Sequence, residues 1–328
     1  MNTRSGRYTS ATGGRSRVLQ FILKRLTGAL LLLLLIATLS FFLSRFAPGG
    51  PFDKDRKIST QARINLEKKY NLDRPLFTRY LLYMKKLVLQ GDFGDSFTYK
   101  NLSVNEILAE HAPYSFLLGG LALLTALTLA IPLGIVAAEY PEKGLDRLLR
   151  TSALFFISMP GIVLGPLSII LFSFGLGLVP SGLWRGASHL VLPVMTLALP
   201  FGSRVFLLTR EKAVSVFRSE FALAARARGV SRKRLLFTHV LKNSLIPVTA
   251  YIAPGTAALL TGSVVIEQIY VLPGLGKYFV QSAFNRDYFL MSGVIIVYFG
   301  LLVIMNMLAD IAVHYLDPRA GAVVKAVS

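Results

Sequence analysis

The most distinctive chemistry in this 328-residue chain lies between Ser219 and Pro247, a stretch that reads SEFALAARARGVSRKRLLFTHVLKNSLIP. Phe217, Phe221, Ala224, Ala225 and Arg228 recur at i, i+4, i+7, i+8 and i+11, one face of a helix. Ala222, Ala224, Ala225 and Ala227 keep that helix slim. Gly229 follows as a C-terminal cap, because Gly adopts a positive φ without steric penalty. Ser231 can cap a second helix, which runs through Leu235, Leu236 and Leu241 toward Pro247. The expectation is a helix–Gly–helix hairpin rimmed by Arg226, Arg228, Arg232, Lys233 and Arg234. Cations and small apolar groups suit recognition rather than bond-making. Such a knob fits a groove on a partner; the bland alternative is a solvated basic hairpin touching lipid headgroups.

Elsewhere the usual catalytic sets are missing. The chain has no Cys, hence no thiolate metal site and no Cys nucleophile. No Ser/His, Asp/Asp or His-x-x-x-His set falls within the apolar stretches. No G-x-x-x-x-G-K-[ST] phosphate loop occurs, and Gly276-Lys277 lacks the earlier Gly. The chain is therefore expected to hydrolyse no ATP and to hold no cofactor or metal.

The elements that position the hairpin are apolar. Hydrophobic residues make up 53% of the chain and charged ones only 16%, against roughly 25% charged in a soluble domain. Mean hydropathy is +0.56. Six stretches reach the roughly 20 uncharged residues that a bilayer-crossing helix needs. They are Leu26–Ser44, Ala112–Ala138, Thr151–Trp184, Gly186–Ser203 continuing through Thr209, Asn243–Ile266 and Tyr288–Ala309. Soluble enzymes, disordered chains and disulfide scaffolds are excluded. His189, Arg204, Glu267 and Asp310 fall toward span ends, where snorkelling would hydrate them as interfacial anchors. With no mid-membrane relay of Asp, Glu or His, an ion-driven carrier is disfavoured. Pro132, Pro160, Pro166, Pro193, Pro200, Pro247 and Pro254 predict bends. Gly161/Gly165 and Ala258/Gly262 permit close helix approach.

Charge placement predicts orientation. Residues 204–242 hold ten Lys/Arg against two acids, while the loop after the third span offers only Arg185. The N-terminus, the 139–150 loop, the 204–242 loop and the C-terminus are thus expected in the cytoplasm. The basic start and long first span read as an uncleaved helix rather than a signal peptide. The net charge of +19 then belongs to a membrane face, not to nucleic-acid binding. The predicted organisation is a flexible tail at 1–17, a first transmembrane helix at 18–46 and an external loop at 47–111. A five-helix core at 112–319 contains the hairpin at 211–247, and a tail at 320–328 closes the chain. Tyr70–Lys86 is expected to form a short amphipathic helix on the outer surface.

The hairpin resembles the EAA loop of ABC-importer permeases, and most closely the version of the dipeptide/oligopeptide family's B-type permease. Ala225, Arg226, Ala227, Gly229, His239, Leu241, Asn243, Leu245, Ile246 and Pro247 match it, with Arg228 for a Lys. Leu223 stands in place of the general pattern's Glu, although Glu220 lies one turn earlier; Ala224 and Lys242 also depart. Asn71–Leu76, Gln90–Ser96, His189–Pro193, Pro273–Gly276 and Leu316–Arg319 resemble further elements of the same family, in order, over residues 18–319. The resemblance implies an all-α polytopic protein with six transmembrane helices in the bacterial inner membrane. It implies a second homologous permease, two ATP-binding subunits carrying ATP and Mg, and an external solute-binding protein. The ATPase-coupling residues would be Glu220, Phe221, Ala224, Ala225, Arg226, Ala227, Arg228, Gly229, Val230 and Arg234. Peptides are the implied cargo, with nickel, glutathione, oligosaccharide or peptide antibiotic as alternatives within the class. The 47–111 loop and the Pro273–Asp287 turn would receive the binding protein.

Overall fold

A computed structural model describes residues 12–46 and 60–316. Among these residues the chain is helical, with one isolated bridge between Asp95 and Ser103 and no strands. In chain order the helices are α1 (Thr12–Phe46), α2 (Thr60–Lys69), α3 (Leu76–Gln90), α4 (Val104–Glu139), α5 (Gly144–Ser158) and α6 (Gly161–Ser168). There follow α7 (Val191–Phe217), α8 (Glu220–Ala227), α9 (Arg232–Leu235), α10 (Lys242–Ile269), α11 (Leu275–Asn285) and α12 (Tyr288–Leu316). Four helical stretches are long and apolar enough to cross a membrane: Leu23–Phe46, Val104–Glu139, Ala187–Phe217 and Tyr288–Ala312. Two bent pairs bring the number to six if each pair is one span.

The first bent pair joins Gly144–Ser158 to Gly161–Gly175 at 109°. Pro160 lacks an N–H and pushes Met159 into extended backbone, φ −88° and ψ 118°. The second joins Arg232–Ile252 to Pro254–Ile269 at 51°. Helix starts differ from the uncharged windows. α5 begins at Gly144 rather than Thr151, because Asp146 is not left to water: Arg210 of α7 donates to its two oxygens at 2.8 and 2.6 Å. α4 begins at Val104 rather than Ala112. Ser103 Oγ accepts from the Glu106 N–H at 3.2 Å, and the Glu106 carboxylate accepts from the Ser103 N–H at 2.8 Å. This capping box fixes the first turn among charged residues. α1 is already helical at Thr12, so the expected tail is shorter than 1–17; once nucleated, a helix gains a hydrogen bond per added residue. Residues 1–11, 47–59 and 317–328, including the closing Asp317-Pro318-Arg319 and the 320–328 tail, lie outside the described residues.

The core forms where α4 packs along α7. Leu118, Ala122, Ala126 and Ala130 recur every fourth residue on α4 and are buried against Leu197, Phe201 and Val205 of α7. Gly134 has no room for a side chain, since a Cβ would lie 2.9 Å from Thr209. Small residues here let two backbones approach closely.

Residues 60–103 carry two helices where one amphipathic helix over Tyr70–Lys86 is expected. Asn71 takes φ +55° and Pro75 precedes α3, which separates α3 from α2. α3 lies against α1: Thr38 and Tyr80 share a 3.0 Å hydrogen bond, and the Tyr80 ring packs on Phe41 and Phe42.

The end of the bundle away from the hairpin is tied by two buried acids. Asp287 is fully buried and accepts from Ser96 Oγ, from the Thr98 N–H at 3.0 Å and from the Leu290 N–H at 3.2 Å. Glu267, expected as a hydrated anchor, is only 2% exposed. Its Oε2 accepts the Gly276 N–H at 2.6 Å, while Ser115 Oγ accepts the neighbouring Leu275 N–H at 2.8 Å. Backbone donors thus stand where water was expected. A Cβ on Gly274 would collide with the Glu267 carboxylate, so that turn requires Gly. Asp310, also expected as an anchor, pairs with Arg25 of α1 at 2.7 Å.

Candidate functional site

α7 stops at Phe217, and Ser219 starts α8 by accepting the Ala222 N–H at 3.3 Å. α8 closes on Gly229, φ +78°, with the Gly229 N–H donating to Arg226 O at 3.0 Å and the Val230 N–H to Ala225 O at 3.1 Å. A side chain at this φ would be strained. Ser231 Oγ then accepts the Arg234 N–H at 3.4 Å and opens α9, which continues through Leu236–Leu241 into α10. The helix–Gly–helix hairpin is therefore present, but its faces differ from the expectation. The interruption at Arg218 and Ser219 removes Phe217 from the α8 face, and the angular phase shifts.

Ala222, Ala225, Leu235 and Val240 are buried with Ala138 of α4 and Ala213 of α7, and Phe217, Val214 and Val230 pack against them. Ala225 and Val230 thus hold the hairpin to its own chain. The outward surface carries Phe221, Leu223 and Phe237, exposed to 49%, 56% and 65%. The Phe221 ring rests edge-on against His239, 4.8 Å between centroids. Glu220, Ala224, Arg226, Ala227, Arg228 and Arg234 are also exposed. Arg226 leans over the Phe217 ring at 5.8 Å, and Arg228 Nε donates to Ala224 O at 3.3 Å.

Arg232 is exposed but already paired within the chain. It donates to both oxygens of Glu139, at 3.2 Å from Nε and 2.5 Å from Nη2. Glu139 ends α4, and the turn beyond it is stapled again: the Glu142 N–H donates to Asp146 Oδ2 at 2.8 Å, and Asp146 is held by Arg210. The side chain of Asp146 is wholly buried. Glu139, Asp146 and Arg210 were not singled out from the sequence. The available signal was the presence of acids in a short loop facing ten basic residues. Between this turn and the hairpin lies a cavity of about 580 Å³, lined by Glu139, Tyr140, Phe217, Arg226, Arg232 and Leu235 among others.

The described residues contain no group of three or more His, Asp or Glu placed to hold a metal. The site's chemistry is adhesive: exposed apolar side chains and guanidinium groups on a hairpin packed against α4 and α7. Clusters of exposed apolar groups mark contact surfaces.

Comparison with known proteins agrees over nearly the full length. Residues 130–321 match the family described as "Binding-protein-dependent transport system inner membrane component". Residues 18–115 match its N-terminal counterpart, "Binding-prot-dependent transport system membrane comp, N-term". The oligopeptide transport system permease protein OppB of Haemophilus influenzae is 37% identical over 304 residues, covering 92% of this chain and 99% of that protein. OppB of Escherichia coli K12 is 36% identical with the same coverage. The dipeptide transport system permease protein DppB of Bacillus subtilis is 37% identical over 300 residues, covering 92% of this chain and 97% of that protein. With its long apolar helices, this is a multi-pass inner-membrane protein that works in a system with partner subunits. The chain belongs to the family of binding-protein-dependent transport system inner membrane components.

Proposed function

We propose that the chain is one of two permease subunits of an ATP-driven peptide importer, with six spans, both termini in the cytoplasm and the hairpin on that side. The oligopeptide and dipeptide systems to which its relatives belong support peptides as cargo. One observation carries the coupling role: Phe221, Leu223 and Phe237 are all exposed on a hairpin whose Ala222, Ala225 and Leu235 are locked into the bundle. An apolar centre with a charged rim is the anatomy of a protein interface. Each of these three side chains, buried in a partner's groove, would contribute about 1.5–3 kcal/mol.

The partner on that surface is a cytoplasmic ATPase subunit, which carries ATP and Mg; this chain binds neither. Two such subunits closing on ATP pull the hairpins and rock the bundle from inward- to outward-facing. Glu220, Ala224, Arg226, Ala227, Arg228 and Arg234 line the contact, whereas Ala225, Gly229 and Val230 shape the hairpin that presents it. A second homologous permease completes the path. An external binding protein delivers peptide to the face built from residues 60–103 and the Pro273–Asp287 turn. Bilayer lipid surrounds the spans, and nucleic acid has no part. The test is affinity purification in mild detergent with mass spectrometry of all copurifying chains. A second permease and Walker-motif ATPases in near-equal amounts are expected. Recovery of the chain alone, moving peptide in vesicles without ATP, would replace this reading with a secondary carrier.

A further inference from the structure

Arg204 is the midpoint residue of α7, with about 20 Å of helix on either side at 1.5 Å per residue. Arg210, the next charged residue, follows six positions later, about 9 Å along the helix; Arg204, expected from the sequence as an interfacial anchor, thus lies on the hairpin side of the apolar stretch but still inside it. Its side chain is exposed, and among the described residues it has no hydrogen-bond or ion-pair partner. It does not face a packed helix. It lines a cavity of about 770 Å³ together with Met159 and Pro160 at the break between α5 and α6, Thr196 and Phe201 of α7, and Tyr251 of α10. The lining holds no carboxylate. Tyr251, within electrostatic range of Arg204, is its nearest ionisable companion there.

Two features make this a recognition site rather than a packing flaw. An ionisable group at depth faces a watery path or a partner. Non-helical backbone at the same depth is tolerated where it lines a cavity. Here both occur on one wall. The last carbonyls of α5 precede Pro160, which has no N–H to offer them. The cavity therefore sets the Arg204 guanidinium across from the C-terminal end of α5, where Ile157 and Met159 line it. A free peptide has the complementary groups: a C-terminal carboxylate and a run of N–H donors. Carboxylates are the anions that guanidinium groups bind in a two-pronged fashion.

We propose that Arg204 contacts the C-terminal carboxylate of the peptide during its passage, and so biases the path toward peptides with a free C-terminus. This rests on the peptide-importer reading above. The test uses the complete transporter, with both permeases, ATPases and binding protein, in proteoliposomes. Uptake of a peptide and of its C-terminal amide is compared for wild type, Arg204→Met and Arg204→Lys, alongside ATP hydrolysis. Arg204→Met should lower uptake of the free acid about tenfold, the scale of one lost charge-assisted contact. Amide uptake and ATP hydrolysis should stay at wild-type levels, and Arg204→Lys should recover at least half of the free-acid rate. Equal loss for acid and amide, failure of Arg204→Met to assemble, or no change for either peptide would overturn the proposal. So would Arg204→Lys behaving as Arg204→Met, a comparison that needs no amide if the binding protein rejects it. Absence of ATP-dependent uptake in wild type would instead refute the importer reading.

Discussion

The two ends of the bundle use their carboxylates differently. At the hairpin end, Asp146 and Glu139 meet Arg210 and Arg232 in two-pronged ion pairs. At the opposite end, Glu267 and Asp287 meet backbone N–H and hydroxyl groups instead of cations. The Glu139–Arg232 pair, with Arg232 65% exposed, can exchange one partner for another at modest cost, whereas the buried Asp146 also holds the Glu142 N–H and stays in place. A buried carboxylate that accepts backbone donors cannot exchange them, because each abandoned N–H would stay unsatisfied. The opposite end is therefore built to stay fixed, and the hairpin end to accommodate a changing neighbour.

That contrast can be broken. Asp287→Ala should have the largest effect. It removes the acceptor of two backbone N–H groups and of Ser96, costing about 2–4 kcal/mol. The unfolding midpoint in detergent should fall, and protease should nick the 90–100 segment first. An unchanged midpoint would show that this end is not held as described. Gly229→Val should come next, at about 1–2 kcal/mol, because β-branched residues resist the φ of +78° found there. Its signature is ATPase subunits that copurify less while the protein remains in the membrane. Arg232→Gln should be smallest. The Arg232 side chain is 65% exposed, so no resolvable shift in midpoint is expected, and any loss of coupling should shrink as salt rises.

The substitution Ala225→Glu looks from the sequence like a way to fill a partner's groove. With Ala225 at 2% exposure, it would instead wedge the hairpin off Ala138 and Ala213. Phe237→Glu, at a side chain 65% exposed, reports on the partner surface directly.

What the sequence makes legible is whatever a single residue type decides locally. Long uncharged windows locate four spans as single helices and two further ones as bent pairs, Gly229 marks the reversal, and Ser231 marks the restart. What it hides is pairing. An uncharged window ends at the first carboxylate, yet Asp146 and Glu106 lie inside helices because Arg210 and a capping box satisfy them. Glu267 reads as a surface anchor because its donors, nine residues downstream and on another helix, show no mark in the local sequence. The face of α8 is misjudged for a related reason. A periodicity carried across Phe217 assumes one continuous helix, while Ser219 breaks it and resets the phase.

The seam of alanines and glycines between α4 and α7 bears on how force would travel through the molecule. Side chains that small leave little to compress or slide, so the two helices form a single stiff beam. The beam carries a handle at one end, since Arg210 fastens α7 to the turn after α4, and Ala222, Ala225 and Leu235 pack the hairpin onto Ala138 and Ala213. Its other end carries Ser115, which holds the Leu275 N–H of the far turn. A pull on the handle would therefore tilt the far turn through the same angle, with no slack taken up along the way.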